Sequence, residues 1–264
     1  MTVPGEATWS EAALRRDRAV LLAGLGTLTL GAWVYLLHVA RDMRATGPME
    51  MSMQMAMPQM QSWGAVELVL LFAMWAAMMV AMMVPSATPL ILLLARADRQ
   101  KTLAGMAGSA AMLILGYVLV WTGFSLCATL ATWGLLSAAL LSPALVSTSS
   151  TFGGALLVAA GVFQLTPLKH ACLTRCRSPM TFLMSRWRNG RWGAFVMGIK
   201  HGTDCVGCCW MLMALLFVAG VMNLVWVAAI AGFVLIEKAA PKGELVGRAA
   251  GVVLIVGGGA LLLS

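Results

Sequence analysis

The sequence predicts an all-α membrane protein, a bundle of about seven transmembrane helices that forms a single domain. Of its 264 residues, 61% are hydrophobic and only 11% are charged, and the mean hydropathy is +0.88. Several apolar runs approach or exceed the ~20 residues that a helix needs to cross a bilayer. The runs are continuous rather than alternating, so a strand-based membrane barrel is excluded.

The predicted spans follow one another along the chain with mostly short connections. They cover about residues 19–40, 63–84, 103–130, 152–166, 193–220, 224–236 and 246–263. A polar tail, residues 1–18, precedes the first span, which lacks a small-residue cleavage site and is therefore expected to be retained. Pro85 and Pro89 are expected to kink or end the second span. A tight turn is expected from Gly220 to Asn223, and the glycines of the last span suit close helix packing.

The basic residues of this chain, whose formal net charge is +8, lie between apolar segments and report topology rather than nucleic-acid binding. With a cytoplasmic N-terminus, fifteen Lys and Arg residues fall on the inner side, and only Arg41 and Arg44 fall outside. The positive-inside rule then predicts a multi-pass inner-membrane protein with a basic cytoplasmic loop at 167–192 and an outer C-terminus. The lipid bilayer is its expected partner, and no nucleic acid is expected.

One stretch of the fifth span, VMGIKHGTDCVGCCW, combines imidazole, thiol and charged side chains. His201 and Cys205 are four residues apart, and Cys205 precedes Cys208 by three and Cys209 by four, so one helix face carries all four. Met197 lies one turn before His201 on the same stripe. These soft ligands suit Cu(I), with zinc as the second possibility. Burial of cysteine as a small apolar residue is the alternative, but ionisable groups at membrane depth tend to mark function.

Methionine is abundant, with 21 residues, and two placements predict further ligands. The outer loop at 41–62 contains the run MEMSMQMAMPQM, and thioethers in an exposed loop have no packing role but do bind Cu(I). A linker of biased composition is the alternative. In the second span, Met74, Met78 and Met82 are spaced by four. Met78 and Met82 are candidate ligands, although packing alone also explains such a stripe.

A second cysteine pair lies in the basic loop, where Cys172 and Cys176 are one helical turn apart. With His170 they could form a second site on the inner side, by ligation or by redox chemistry. Thioethers outside, imidazole and thiols at mid-depth, and thiols inside indicate copper handling, either uptake or delivery to a membrane metalloenzyme. An extracytoplasmic metal carrier or such an enzyme is the expected protein partner. No serine–histidine–acid arrangement and no nucleotide-binding glycine loop is recognisable, so no enzyme activity is expected.

Three segments resemble a bacterial family of predicted metal-binding integral membrane proteins, sometimes labelled copper-chaperone-like. They are QLTPLK followed by CLTRCRSP, HGTDCVGCCW followed by MNL, and the second span with Trp75, AMM and Pro85. The resemblance covers about residues 63–238, and its two cysteine motifs are specific. It implies metal binding in a membrane-embedded helical protein.

Two other functions fit parts of the pattern. A thiol–disulfide electron conduit could use Cys205 with Cys208, or Cys172 with Cys176, because such chemistry needs two cysteines that pair and exchange. That reading leaves His201 and the methionine loop without a role. Haem binding through His201 and an axial methionine or cysteine is the third possibility.

Two charged residues flank the ligand stripe. Lys200 and Asp204 are four apart in the same span, and each is costly at this depth when unpaired. We therefore expect them to pair with each other across one helical turn and to orient His201. A water-filled vestibule around both side chains is the alternative.

Overall fold

The computed structural model describes residues 4–45, 64–97, 103–142 and 145–263, and these form helices and connecting turns. The helices within these ranges are α1 Pro4–Ala45, α2 Ala65–Ala97, α3 Leu103–Ser137, α4 Ser150–Leu165, α5 Pro167–Arg177, α6 Pro179–Arg186, α7 Gly190–Ala214, α8 Leu216–Ala219, α9 Leu224–Ala239 and α10 Gly243–Leu263. Within these ranges the β-structure amounts to one isolated bridge between Leu141 and Ser147. The all-α prediction is thus confirmed.

In the part of the chain that the structure describes, five helical segments are long and apolar enough to cross a membrane. They are Arg18–Asp42, Ala65–Leu94, Ala107–Ser137, Gly190–Ala219 and Gly243–Leu263. A sixth span results if α4 and α5, which meet at 63°, are taken as one broken crossing. The predicted seventh span is not confirmed, because α9 has 16 residues and measures about 24 Å at 1.5 Å per residue, whereas the bilayer core is about 30 Å thick.

Proline has opposite effects in two places. Between α4 and α5, Thr166 adopts an extended conformation, its hydroxyl accepts a hydrogen bond from the Lys169 amide (3.3 Å), and Pro167 starts the new helix. In α2, by contrast, the helix continues through Pro85 and Pro89, so the prediction that they could end the span is wrong. Neighbouring side chains can satisfy backbone groups near a membrane-helix proline, and Tyr117 donates to the Met83 carbonyl here (3.0 Å).

Glycines bring two helix pairs into backbone contact. A Cβ added at Gly198 of α7 would collide with the Leu113 carbonyl of α3, and one at Gly116 would collide with the Phe195 carbonyl. A Cβ at Gly161 of α4 would lie 2.6 Å from the carbonyl oxygen of Gly251 in α10. Small residues permit such close approach between membrane helices. The predicted role of glycine in the last helix is therefore confirmed at Gly251.

The helix connections gather at two ends of the bundle. At one end, Val221 donates to the Leu145 carbonyl (3.2 Å) and Leu261 lies against Gly153. At the other, which we call the basic end, Arg177 donates to the carbonyls of Ala240 (2.5 Å) and Pro241 (3.0 Å). The α9 helix therefore runs from one end of the bundle to the basic end despite its short length.

A buried ion pair lies near the start of α5. The Lys169 ammonium is 2.6 Å from the Glu237 carboxylate of α9, and both side chains are 2% exposed. Lys169 also donates to the side-chain oxygen of Gln164. Glu237 packs against Gly247 of α10, where a Cβ would collide with its carboxylate. Lys169 was counted among the loop charges in the sequence, but it is part of the interior.

The predicted outer loop lies mostly outside the described residues, whereas most of the predicted tail lies within them. The methionine-rich run of the 41–62 loop lies outside them, because the structure describes nothing between residues 45 and 64. The predicted tail at 1–18 is described from Pro4 onward, and it continues into the first span as part of α1.

Candidate metal centre

The α7 helix places its predicted stripe in the interior. His201 is 2% exposed, Cys205 is fully buried, and Cys208 and Cys209 are each 1% exposed. Because α7 is a helix, the spacings of three and four residues keep these side chains on one face. That face is turned toward α2, α3, α5 and α9 rather than toward lipid. The predicted grouping of these four residues is therefore present.

The thiols converge on Cys205. Cys209 donates to the Cys205 carbonyl at 2.8 Å, and Cys208 donates to the same oxygen at 3.1 Å. Cys176 of α5 lies near them, and its thiol interacts with those of Cys205 and Cys208. We refer to Cys176, Cys205, Cys208 and Cys209 as the thiol cluster. The sequence had assigned Cys176 to a separate inner site.

A lysine contacts the central sulfur of the cluster. The Lys238 ammonium of α9 lies 2.8 Å from Cys205 Sγ and 3.1 Å from the Ser86 hydroxyl of α2. The Tyr117 hydroxyl of α3 lies 3.1 Å from Cys205 Sγ on another side. The thiolate is the form of cysteine that binds metals, and the Lys238 ammonium places a positive charge beside this sulfur. Neither Lys238 nor Tyr117 was identified from the sequence as part of the site.

His201 lies between two aromatic rings and beside a cavity. Its ring centroid is 5.6 Å from that of Tyr117, nearly parallel, and 5.4 Å from that of Phe182, edge-on. Its Nδ1 is buried and makes no hydrogen bond within the described chain. His201, Cys176 and Lys238 all line a cavity of about 270 Å³ at the basic end. A nitrogen donor is thus available next to the thiols.

One methionine sulfur contacts the cluster, and it is not one of the predicted three. Met83 Sδ lies 4.0 Å from Cys209 Sγ. Met197, Met78 and Met82 are all buried in the apolar core, which is also the packing role that the sequence left open for them. Met79 and Met83 form a second pair spaced by four on the same helix, and spacing alone does not distinguish the two stripes.

The remaining cysteines, Cys172 and Cys127, occupy different positions. Cys172, half-buried on α5, lies against the backbone of Gly207, and a Cβ there would be 2.9 Å from its sulfur. Cys127 on α3 is exposed. His170, proposed as the third member of an inner site, instead contacts Glu244 at 3.2 Å. The structure therefore places Cys176 with the α7 thiols and His170 with Glu244, while Cys172 lies next to Cys208 and its role as a ligand stays a prediction.

Asp204 pairs with arginines from outside its helix. Its carboxylate lies 3.4 Å from Arg175 of α5 and 3.2 Å from Arg186 of α6. The expected pairing with Lys200 is therefore wrong. Asp204 holds α5 and α6 against α7, and so it supports the position of Cys176 rather than orienting His201.

The donor chemistry fits a soft cation, although the side chains are not arranged as a ligand shell. Within the described ranges, no three His, Cys, Asp or Glu side chains form a ready metal-holding group. The Cys208 and Cys209 thiols are turned onto a carbonyl, from which a side-chain rotation would free them. Four thiols, a thioether and a free imidazole nitrogen within one buried region match the ligands preferred by Cu(I) and, less selectively, by zinc.

Comparison with known proteins agrees with this chemistry. No curated protein and no solved structure gave a match to the chain. A family model described as PpoB2, copper chaperone, matches residues 72–261, which include every helix that contributes to the thiol cluster. The resemblance inferred from the cysteine motifs is confirmed, and the chain belongs to the PpoB2 copper chaperone family.

Proposed function

We propose that this protein is a membrane-embedded copper chaperone that binds Cu(I) at the thiol cluster. The observation that carries the proposal is the convergence of Cys176, Cys205 and Cys208 from two helices next to the Lys238 ammonium. One free thiol in a membrane helix is ordinary packing, but several in mutual contact beside a charge are not. The family description supports copper as the cargo.

Charge balance favours Cu(I) held by two thiolates over zinc held by all four. A Cu(I) ion held by two thiolates carries one net negative charge, which the Lys238 ammonium offsets at 2.8 Å from Cys205. A zinc ion held by four thiolates in a closed structural site would carry two net negative charges. Uncompensated charge is costly in a buried region, so the single lysine suits the monovalent ion. His201 and Met83 can complete the coordination of Cu(I).

We further propose an inner-membrane location with the basic end in the cytoplasm and the C-terminus outside. The count of Lys and Arg supports this orientation. It is also supported by the course of α9 between the two ends of the bundle, which leaves the end of α10 opposite Arg177. The role is binding and transfer rather than catalysis: copper taken up, or passed to a membrane metalloenzyme.

The test is copper retention by the purified full chain in detergent, loaded with Cu(I) under anaerobic, reducing conditions. The variant Cys205→Ser/Cys208→Ser and the single variant Cys176→Ser are each expected to lose at least tenfold in Cu(I) affinity, since even supporting groups around a bound metal cost about 10–100-fold. Competition with a Cu(I) chelator measures the affinity.

The matched control is Cys172→Ser, which removes the other cysteine of the same helix. It is expected to retain copper within about twofold, a difference well below 1 kcal/mol. Equal losses in Cys172→Ser and Cys176→Ser would restore the two-cysteine inner site. Full retention in the Cys205→Ser/Cys208→Ser variant would contradict the thiol cluster as the copper site.

The thiol–disulfide conduit remains a second candidate because Cys176 contacts cysteines of another helix. All six cysteines are free in the structure, and a Cys176–Cys205 disulfide would join α5 to α7. Thiol titration after mild oxidation separates the two functions: a conduit forms this disulfide reversibly and needs no copper. The cavity beside His201, at about 270 Å³, falls below the ~300–1,000 Å³ of ordinary ligand pockets and does not suit a haem.

A further inference from the structure

The cavity beside the thiol cluster has one sign of charge. Its walls come from α2, α5, α6, α7 and α9, and it lies at the basic end. Among the described residues that line it, Arg177 and Lys238 are cationic and none is acidic. Clefts lined by one sign of charge raise the local concentration of oppositely charged ligands. A positively charged lining does not attract a bare copper cation.

Copper in a reducing compartment does not travel as a bare ion. Cu(I) is held by soft sulfur ligands, and its complexes with small thiols carry the negative charge of the thiolates. An anionic thiol carrier therefore matches a cavity in which a bare cation would be repelled. The volume of about 270 Å³ limits the occupant to a small molecule.

The polar groups of the cavity are placed to receive such a carrier. The Ser86 hydroxyl and the Lys238 ammonium lie 3.1 Å apart on one wall, and the buried imidazole of His201, whose Nδ1 makes no hydrogen bond within the described chain, lines another. Cys176 also lines the cavity, whereas Cys208 and Cys209 do not. A ligand in the cavity thus meets Cys176 before the deeper thiols.

We propose that this cavity binds a small anionic thiol carrying Cu(I), and that Cys176 is the first protein ligand to take the metal. The inference rests on the proposed copper function and names the form in which copper arrives. Each exchange breaks one bond from copper to a carrier sulfur and forms one bond from copper to a cysteine sulfur. The proton of that cysteine leaves on the released carrier thiol, and copper remains Cu(I) throughout.

The test compares the initial rate of copper loading from three carriers of similar size and different charge. They are mercaptoacetate (anionic), 2-mercaptoethanol (neutral) and cysteamine (cationic), each presented as its Cu(I) complex to the purified full chain without oxygen. Wild type is expected to load about tenfold faster from mercaptoacetate than from 2-mercaptoethanol, and slowest from cysteamine. The preference should weaken as salt is raised.

The preference should disappear in Lys238→Met, which removes the charge nearest the cluster. The control is Lys242→Met, which removes an exposed lysine in the turn between α9 and α10, outside the cavity lining; it should retain the preference. Because Lys238 also contacts Cys205, the readout is the ratio of rates between carriers rather than the rate itself. Arg177→Gln supplies a second test if Lys238→Met does not fold, since glutamine can still donate to the Ala240 carbonyl.

The outcomes distinguish failure of the carrier site from failure of the proposed copper function. Equal loading from all three carriers, or a preference that persists in both Lys238→Met and Arg177→Gln, would overturn the carrier site and leave copper binding intact. Failure of wild type to load from any carrier would instead overturn the proposed function. An anionic preference lost in Lys238→Met or in Arg177→Gln, but retained in Lys242→Met, would support the carrier site.

Discussion

The two ends of α5 take part in two buried polar regions of different kinds. Near its start, the Lys169 ammonium is held between the side chains of Gln164 in α4 and Glu237 in α9. Near its end, Cys176 meets the thiols of α7, which are weak hydrogen-bond donors. The adjacent residues Glu237 and Lys238 of α9 serve one region each. The comparison teaches that polar groups hold the helices together in one region and remain available for a ligand in the other.

The largest expected effect concerns the ion pair. Lys169→Met or Glu237→Gln alone should lower the free energy of unfolding by about 3–5 kcal/mol, because each leaves a buried charge without its partner. The double variant should be less destabilised than either single one, since it leaves neither charge behind. Thermal unfolding in detergent measures this series.

The exposed pair Arg248–Glu244, in the same part of the molecule, provides the control for that series. Its atoms lie 2.7 Å apart with side chains 62% and 39% exposed, so Arg248→Gln should cost at most about 1 kcal/mol. If the losses of unfolding free energy in the Lys169 and Glu237 variants were additive, the two residues would not stabilise the helices as a pair. The contrast with the thiol cluster would then fail.

A smaller effect is expected at Asp204 of α7. Its partner Arg175 lies on α5, between Lys169 and Cys176. Asp204→Asn should cost about 1–2 kcal/mol in stability, because it weakens charged hydrogen bonds to Arg175 and Arg186 that are partly exposed to solvent. It should also loosen copper retention by moving Cys176. Thermal unfolding and chelator competition are the two measurements.

Lys200→Met is the matched control on the same helix and should change stability by no more than about 0.5 kcal/mol. If Lys200→Met relieved the loss caused by Asp204→Asn, the two residues would be partners after all. The external arginine pairing would then be wrong.

The smallest effect is expected at the edge of the thiol cluster. Met83→Leu should lower Cu(I) affinity by about threefold, the equivalent of ~0.6 kcal/mol, because it removes one weak sulfur donor and keeps a similar volume. Met82→Leu, the adjacent control, should leave the affinity unchanged. The reverse result would return the ligand role to the Met78–Met82 stripe that the sequence indicated.

Local spacing was enough to identify the α7 side of the site, because residues three and four apart on a helix share a face in any tertiary structure. It was not enough to bring Cys176 to Cys205, which lies 29 positions further along and meets it only through the packing of α5 on α7. Lys238 looked like a topology charge since it ends an apolar run. The pairing of Asp204 with arginines was likewise missed, because proximity in sequence favoured Lys200.

The fold, like the site, could be predicted from the sequence only in part. Continuous apolar runs and the family motifs predicted a helical membrane bundle, and glycine content predicted close packing. The short helices α4 and α9 were harder to predict. Each is 16 residues long and depends on bends and turns at its ends. Pro167 creates such a bend because Thr166 caps the next helix, whereas Pro85 lies within a helix supported by its neighbours.

The contact between Lys238 and Cys205 has a consequence for how the protein is made. These residues are 33 positions apart, and Cys176 precedes both. A ribosome therefore synthesises the thiols of α5 and α7 before the lysine that lies beside them. On the proposed function, a nascent chain that has not yet packed α9 against α7 has the cysteines without the completed copper site.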